Sequence, residues 1–249
     1  MSDSRPQQDR GFAGSSGPSL GLRAVLFDLD GTLYRQAPLR ALMALELATL
    51  PLAAPFRAAR HLRALRAYRA AQEDLRGAVL EGLAAAQLEA AATASGLPVA
   101  EVQTLVTEWM MERPLKYLQF CRVAGLDRVL DLVERTGLQA GVLSDYPAEA
   151  KLGALGLAGR FSPVLCASDP EIGAFKPSAR GYLRACALWH LEPSEVLFVG
   201  DRADVDAVGA AAAGMPCAIV GRASATPPGL PPFLTLSSFE RLSDVLDRR

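Results

Sequence analysis

The chain has 249 residues, half of them hydrophobic, and a formal net charge of −1. That length supports one substantial core with a smaller accessory unit, and the near-neutral balance argues against a nucleic-acid or membrane-surface partner, which needs a basic field. Four cysteines, Cys121, Cys166, Cys186 and Cys217, stand far apart with no CxxC pair, so neither a zinc cage nor a disulfide scaffold is indicated and reduced thiols are expected.

Residues 1–20 are rich in Ser, Gly, Pro and Gln, lack the apolar run of a secretory signal or membrane span, and read as a disordered tail. Residues 23–27 form a short apolar run that ends at Asp28 and is followed by the turn residues Gly31 and Thr32. A buried parallel strand delivers a side chain to a sheet edge in this way. From 36 to 114 the rhythm changes: no strand-like run occurs, alanine and leucine dominate, and prolines at 38, 51, 55, 98 and 114 punctuate helical segments. The first segment has Leu39, Leu42, Met43 and Leu47 at helical spacing and the last has Val102, Leu105, Val106 and Trp109, so each has an apolar face to bury. Gly96 and Pro98 end the long middle segment.

The strand pattern then returns. Runs at 138–143, 164–167, 196–199 and 217–220 end at Ser144, Ser168, Gly200-Asp201 and Gly221, with helical stretches at 127–135, 178–189 and 204–213 between them. A Pro-rich linker at 223–232 precedes a short closing strand and helix. Alternating runs and helices predict an α/β fold, a Rossmann-like doubly wound parallel sheet with ligands beyond the carboxyl ends of its strands. Residues 21–35 and 115–249 would form this core, and 36–114 an inserted all-helical unit.

Phe27-Asp28-Leu29-Asp30-Gly31-Thr32 sets two carboxylates one residue apart at a strand end, where glycine allows a sharp turn that brings backbone N–H groups toward an anion. Such a pair can supply a nucleophile and a general acid. Together with Leu143-Ser144, Lys176-Pro177 and Gly200-Asp201 plus Asp206, in that order, this sequence resembles the haloacid dehalogenase-like (HAD) superfamily with a helical C1-type cap, in its phosphatase branch. The resemblance implies Asp28 as the nucleophile that takes the phosphoryl group, Asp30 as acid and base, and Lys176 as an electrostatic catalyst. It further implies Ser144, Asp145, Lys176, Gly31 and Thr32 around the phosphate, with Asp206 behind Lys176 or a metal-bound water. By the same pattern Asp28 and Asp201 bind a metal through carboxylates, and Asp30 does so through its main-chain carbonyl.

Physical chemistry supports the metal independently. Unit charges about 4 Å apart repel by roughly 4 kcal/mol at an effective dielectric near 20, so converging Asp28, Asp30 and Asp201 call for a cation. The ligands are all hard oxygens, which favours Mg2+. Asp204 competes with Asp206 as the supporting acid. Asp145 stands where the family commonly has Asn; with Pro147 nearby it is expected to cap the next helix and leave its backbone N–H for the phosphate.

Arg57, Arg60, Arg63, Arg66 and Arg69 recur every three residues and read as a solvated face, because that step drifts around a 3.6-residue helix. In this arginine-rich background only Lys116, Lys151 and Lys176 are lysines, so a lysine carries more information than an arginine. Trp109, Met110 and Met111 read as core, His190 as structural, and Gly153, Gly156 and Gly159 as helix-end glycines with no nucleotide-binding spacing. The expected activity is Mg2+-dependent hydrolysis of a small phosphorylated metabolite in the cytoplasm. A phosphomutase and a non-catalytic HAD-like binding protein are the alternatives, and the sequence carries no signal for oligomeric state.

Overall fold

The computed structural model describes residues 21–48, 55–221 and 227–247. The tail expected over 1–20, the first part of the expected linker and the side chain of Arg57 lie outside the described residues. Six strands, β1 (Ala24–Phe27), β2 (Gln139–Ser144), β3 (Val164–Cys166), β4 (Val196–Gly200), β5 (Cys217–Val220) and β6 (Leu234–Leu236), form one sheet in the order β3-β2-β1-β4-β5-β6. Every pairing is parallel.

Strand β1 is central and buried at every position, as an apolar run in a sheet covered on both faces must be. Its side chains alternate between two cores: Val25 and Phe27 join one, Ala24 and Leu26 the other. The first is closed by α6 (Leu126–Arg135) and α10 (Glu240–Leu246), through Val129, Leu130, Leu242 and Leu246. The second is closed by α8 (Arg180–Trp189) and α9 (Val208–Ala213), through Tyr182, Ala185, Ala210 and Ala213. Phe27 is level with Val142 on one side and Val199 on the other. Asp28 and Asp201, just past β1 and β4, and Ser144, the last residue of β2, therefore lie at one edge of the sheet.

Two expected helices start later than their sequence pattern suggests. In the 178–189 stretch, α8 begins at Arg180, because Ser178 closes a turn onto the Phe175 carbonyl. In the 204–213 stretch, residues 203–207 form a wide π-type turn before α9, since the Asp206 carboxylate accepts the amides of Asp201 and Arg202 and loosens the regular ladder.

Between β1 and β2 the chain is helical: α1 (Gln36–Ala48), α2 (Pro55–Asp74), α3 (Leu83–Ser95), α4 (Val99–Val106), a π-type turn at 107–112 and α5 (Leu115–Cys121). Ala64, Tyr68, Ala91, Val102, Leu105, Val106 and Trp109 build a separate apolar cluster here, with Met43, Leu47, Met110 and Met111 against it. Leu39 of α1 and Leu118 of α5 pack instead into the sheet's core, which ties both ends of the helical stretch to the sheet. Gly96 ends α3 in a left-handed conformation at φ 68°, its N–H on the Ala92 carbonyl. No described helix is long and apolar enough to cross a membrane, and all four cysteines are free and buried.

Candidate active site

Asp28 leaves β1 with its amide bound to the Val199 carbonyl at 2.8 Å and its side chain almost wholly buried. One carboxylate oxygen receives the Lys176 ammonium at 2.5 Å, the other the Thr32 hydroxyl at 2.9 Å. The Thr32 hydroxyl, expected near phosphate, thus steadies Asp28. Lys176 also reaches Asp206 at 2.8 Å, and the second Asp206 oxygen accepts the amides of Asp201 and Arg202, each at 3.1 Å. Asp204 is exposed and paired with Arg202 at 2.6 Å, so Asp206 is the acid that supports Lys176.

Carboxylate oxygens of Asp28, Asp201 and Asp206 lie within 4.8 Å of one another. Burial pushes Asp28 up to about 8, with Lys176 pulling it down and Asp206 and Asp201 raising it again. Burial and then Asp206 push Asp201 up to about 6. Burial alone would lower Lys176, but Asp206 and Asp28 carry it well above its ordinary value. One ammonium thus faces three carboxylates, two of which resist ionising. Asp206 takes Lys176 on one oxygen and two amides on the other, while the Asp201 carboxylate, touched by a backbone amide, has no cation paired with it among the described residues. This oxygen-only set fits a hard divalent cation, with Asp28 and Asp201 as its available carboxylates.

Gly31 shapes that seat. Its φ is +116°, and a Cβ there would stand 2.1 Å from Asp201 Oδ2, so the turn after Asp28 leaves room for the Asp201 carboxylate only because no side chain is present. Ser144 is buried at the end of β2, where its Oγ accepts the Tyr146 amide at 3.2 Å and its hydroxyl proton remains for a further acceptor.

Asp30 stands apart from the acid cluster. Both of its oxygens receive the Lys151 ammonium, at 2.7 and 2.8 Å, and the Tyr34 hydroxyl donates to one of them. Burial would raise its carboxyl, but Lys151 and Tyr34 hold it below the usual range. That is the form a base needs; acting as an acid requires protonation against this pull. The Asp30 carbonyl, the expected metal ligand, accepts the Gln36 side-chain amide.

The expectation that Asp145 caps the next helix is corrected. Helix α7 (Glu149–Ala154) starts four residues on, with Ala148 at its cap position and no side-chain cap. Asp145 accepts the Lys176 amide at 3.1 Å, the Gln72 amide at 2.8 Å and the Arg76 guanidinium at 3.1 Å. Its carboxylate therefore faces the helical stretch, whose guanidinium offers a charge-assisted bond that a helix N-terminus cannot match. Arg76 also donates to the Lys176 carbonyl, the Tyr146 hydroxyl donates to Gln72 at 2.7 Å, and the Leu80 amide meets the Gly173 carbonyl at 2.8 Å. Residues 72–80 are thus sewn to the loops that carry Asp145 and Lys176.

Sequence reasoning singled out neither Lys151, Tyr34 and Gln36 nor Gln72 and Arg76. Lys151 alone left a usable signal, as one of three lysines in an arginine-rich chain. Of the arginine stretch, Arg60 pairs with Glu101 at 2.5 Å, and Arg63, Arg66 and Arg69 are exposed. His190 closes α8 at φ 56°, and Trp109 is buried in the helical cluster.

A model of the haloacid dehalogenase-like hydrolases matches residues 22–214, the stretch that carries this whole constellation. The chain belongs to that family. The N-acetylmuramic acid 6-phosphate phosphatase of Pseudomonas aeruginosa is 31% identical over 188 residues, covering 72% of this chain and 74% of the relative. Its counterpart in Pseudomonas putida is 32% identical over 189 residues with the same coverage. These relatives put the chain among the HAD-like phosphatases. The fold also matches a 2-haloacid dehalogenase from Pseudomonas syringae pv. Tomato DC3000, with a TM-score of 0.64, 23% identity and coverage of 91% of this chain and 99% of that one. A predicted phosphoglycolate phosphatase from Haemophilus somnus matches with a TM-score of 0.60, 20% identity and coverage of 90% and 98%.

Proposed function

We propose that this HAD-like phosphatase hydrolyses a small phosphomonoester through an aspartyl phosphate on Asp28, with Mg2+ as its cofactor. The observation that carries this reading is Lys176 bridging Asp28 and Asp206 beside the open carboxylate of Asp201. Asp28 and Asp201 would hold the ion, with the Asp30 carbonyl joining them once Gln36 yields it. When bound, Mg2+ supplies the positive charge that lets Asp28 ionise near neutral pH and that offsets charge on the phosphoryl oxygens.

Asp28 attacks phosphorus, Lys176 balances the charge that collects on the transferring group, and the Ser144 hydroxyl donates to a phosphoryl oxygen. Asp30 protonates the leaving oxygen and later draws a proton from the water that opens the acyl phosphate. Residues 36–114 act as the cap, and the contacts of Gln72, Arg76 and Leu80 with the loops that carry Asp145 and Lys176 support a closed position in which water is excluded during transfer. The relatives point to a phosphosugar as the first substrate class to try. A cytoplasmic setting, where thiols stay reduced, suits the four free cysteines.

The test is phosphate release by the purified chain from a panel of phosphosugars, including N-acetylmuramic acid 6-phosphate, with and without Mg2+. Activity is expected to need the ion and to fall by at least about 10⁴-fold in Asp28→Asn. Turnover retained by a folded Asp28→Asn protein refutes the nucleophile assignment, and isomer formation without phosphate release makes the enzyme a mutase.

A further inference from the structure

We propose that Lys151 is a positioning residue that fixes the Asp30 carboxylate for its two proton transfers; this rests on the phosphohydrolase reading above. Lys151 lies on α7, outside the motifs that define the family resemblance, and is 7% exposed. Its ammonium grips both oxygens of Asp30, while the Tyr34 hydroxyl holds one of them from a residue four positions along the chain. A carboxylate held on both oxygens by one cation, and on one oxygen by a second donor, has its plane and rotamer set. Lys151 makes no ion pair with Asp28, Asp201 or Asp206 among the described residues. Its effect on the chemistry therefore runs through Asp30.

In the first half-reaction an Asp28 oxygen bonds to phosphorus and the ester P–O bond breaks. Its electron pair stays on the leaving oxygen, which takes the Asp30 proton. In the second half a water oxygen bonds to phosphorus and a water proton passes to Asp30. The P–O bond to Asp28 breaks, and its pair returns to the Asp28 carboxylate. An aryl phosphate leaves as a stable phenolate and needs no proton in the first half, so it isolates the second. A purely architectural lysine would slow both halves alike.

The experiment is a double-mutant cycle on the full chain with Mg2+ and p-nitrophenyl phosphate, followed by rapid mixing. Lys151→Met is expected to release a burst of about one equivalent of nitrophenolate per enzyme and then to turn over about 10²-fold more slowly than wild type. In an Asp30→Asn background the same change should add no further loss. Equal slowing of burst and turnover, unchanged turnover, or additive losses in the cycle overturns the assignment. Thermal unfolding monitors the fold, and if Lys151→Met does not fold, Lys151→Gln carries the same cycle. A wild type that hydrolyses no phosphoester removes the phosphohydrolase reading itself; a competent wild type with additive losses removes only the role of Lys151.

Discussion

The sheet edge and the helical stretch above it solve opposite problems. At the edge, side chains that repel one another are forced together: Asp28, Asp201 and Asp206 share a buried space with a single ammonium. In the helices α1 to α4, small and aliphatic side chains pack into a bland cluster, and the polar contacts that reach the edge loops gather at the end of α2, where Gln72 and, just beyond the helix, Arg76 meet Asp145. Chemistry fixes residue types at the edge, whereas among the helices only size and apolarity are fixed. Substitutions at the edge should therefore cost function steeply, and those at the seam between the regions only moderately.

Gly31→Ala should have the largest effect of those that separate the two regions. The added Cβ must displace the Asp201 carboxylate, and a positive φ strains any other residue by about 1–3 kcal/mol. We expect a drop of about 10²-fold in turnover with a modest fall in melting temperature, read by steady-state kinetics and thermal unfolding. Wild-type activity in this variant would break the claim that the turn is shaped around Asp201.

Arg76→Ala tests the seam. It leaves the Asp145 carboxylate, 12% exposed in its side chain, without its charged partner, a loss of about 1–3 kcal/mol. The expected result is a fall of about 10-fold in kcat/KM, with a chemical step in single-turnover assays that changes less than the apparent affinity. A change confined to the chemical step would mean that Arg76 belongs with the edge after all. Asp145→Asn is the mildest: it keeps an acceptor for the Lys176 amide but sets an NH2 group against the Gln72 and Arg76 donors, which can turn toward solvent, so activity should stay within about 10-fold of wild type. A collapse of turnover with folding intact would give Asp145 a direct part in catalysis.

The same contrast explains what could be read before the fold was seen. Asp28, Ser144 and Asp201 could be singled out because strand ends of one parallel sheet share an edge, and Lys176 because its motif resembles that of the family and lysines are rare in this chain. Asp145 was visible as a departure, but its partner was not. Arg76 is one of many arginines and lies 69 positions away, in a stretch where nothing distinguishes a seam contact from a solvated charge. Choosing between Asp204 and Asp206 was beyond periodicity, because the backbone bends into a π-type turn under the pull of the Asp206 side chain itself. Lys151 showed only as a rare letter, and its partner Asp30 had already been given other duties.

Gly200 shows how such a site can be written in missing atoms. A Cβ at that position would fall 2.4 Å from Asp206 Oδ2, in the space where that carboxylate now turns back to meet the amides of its own loop. The anchor of Lys176 is thus encoded twice, once by an acid and once by a hydrogen six positions earlier. A search that counts only charged letters sees half of that instruction.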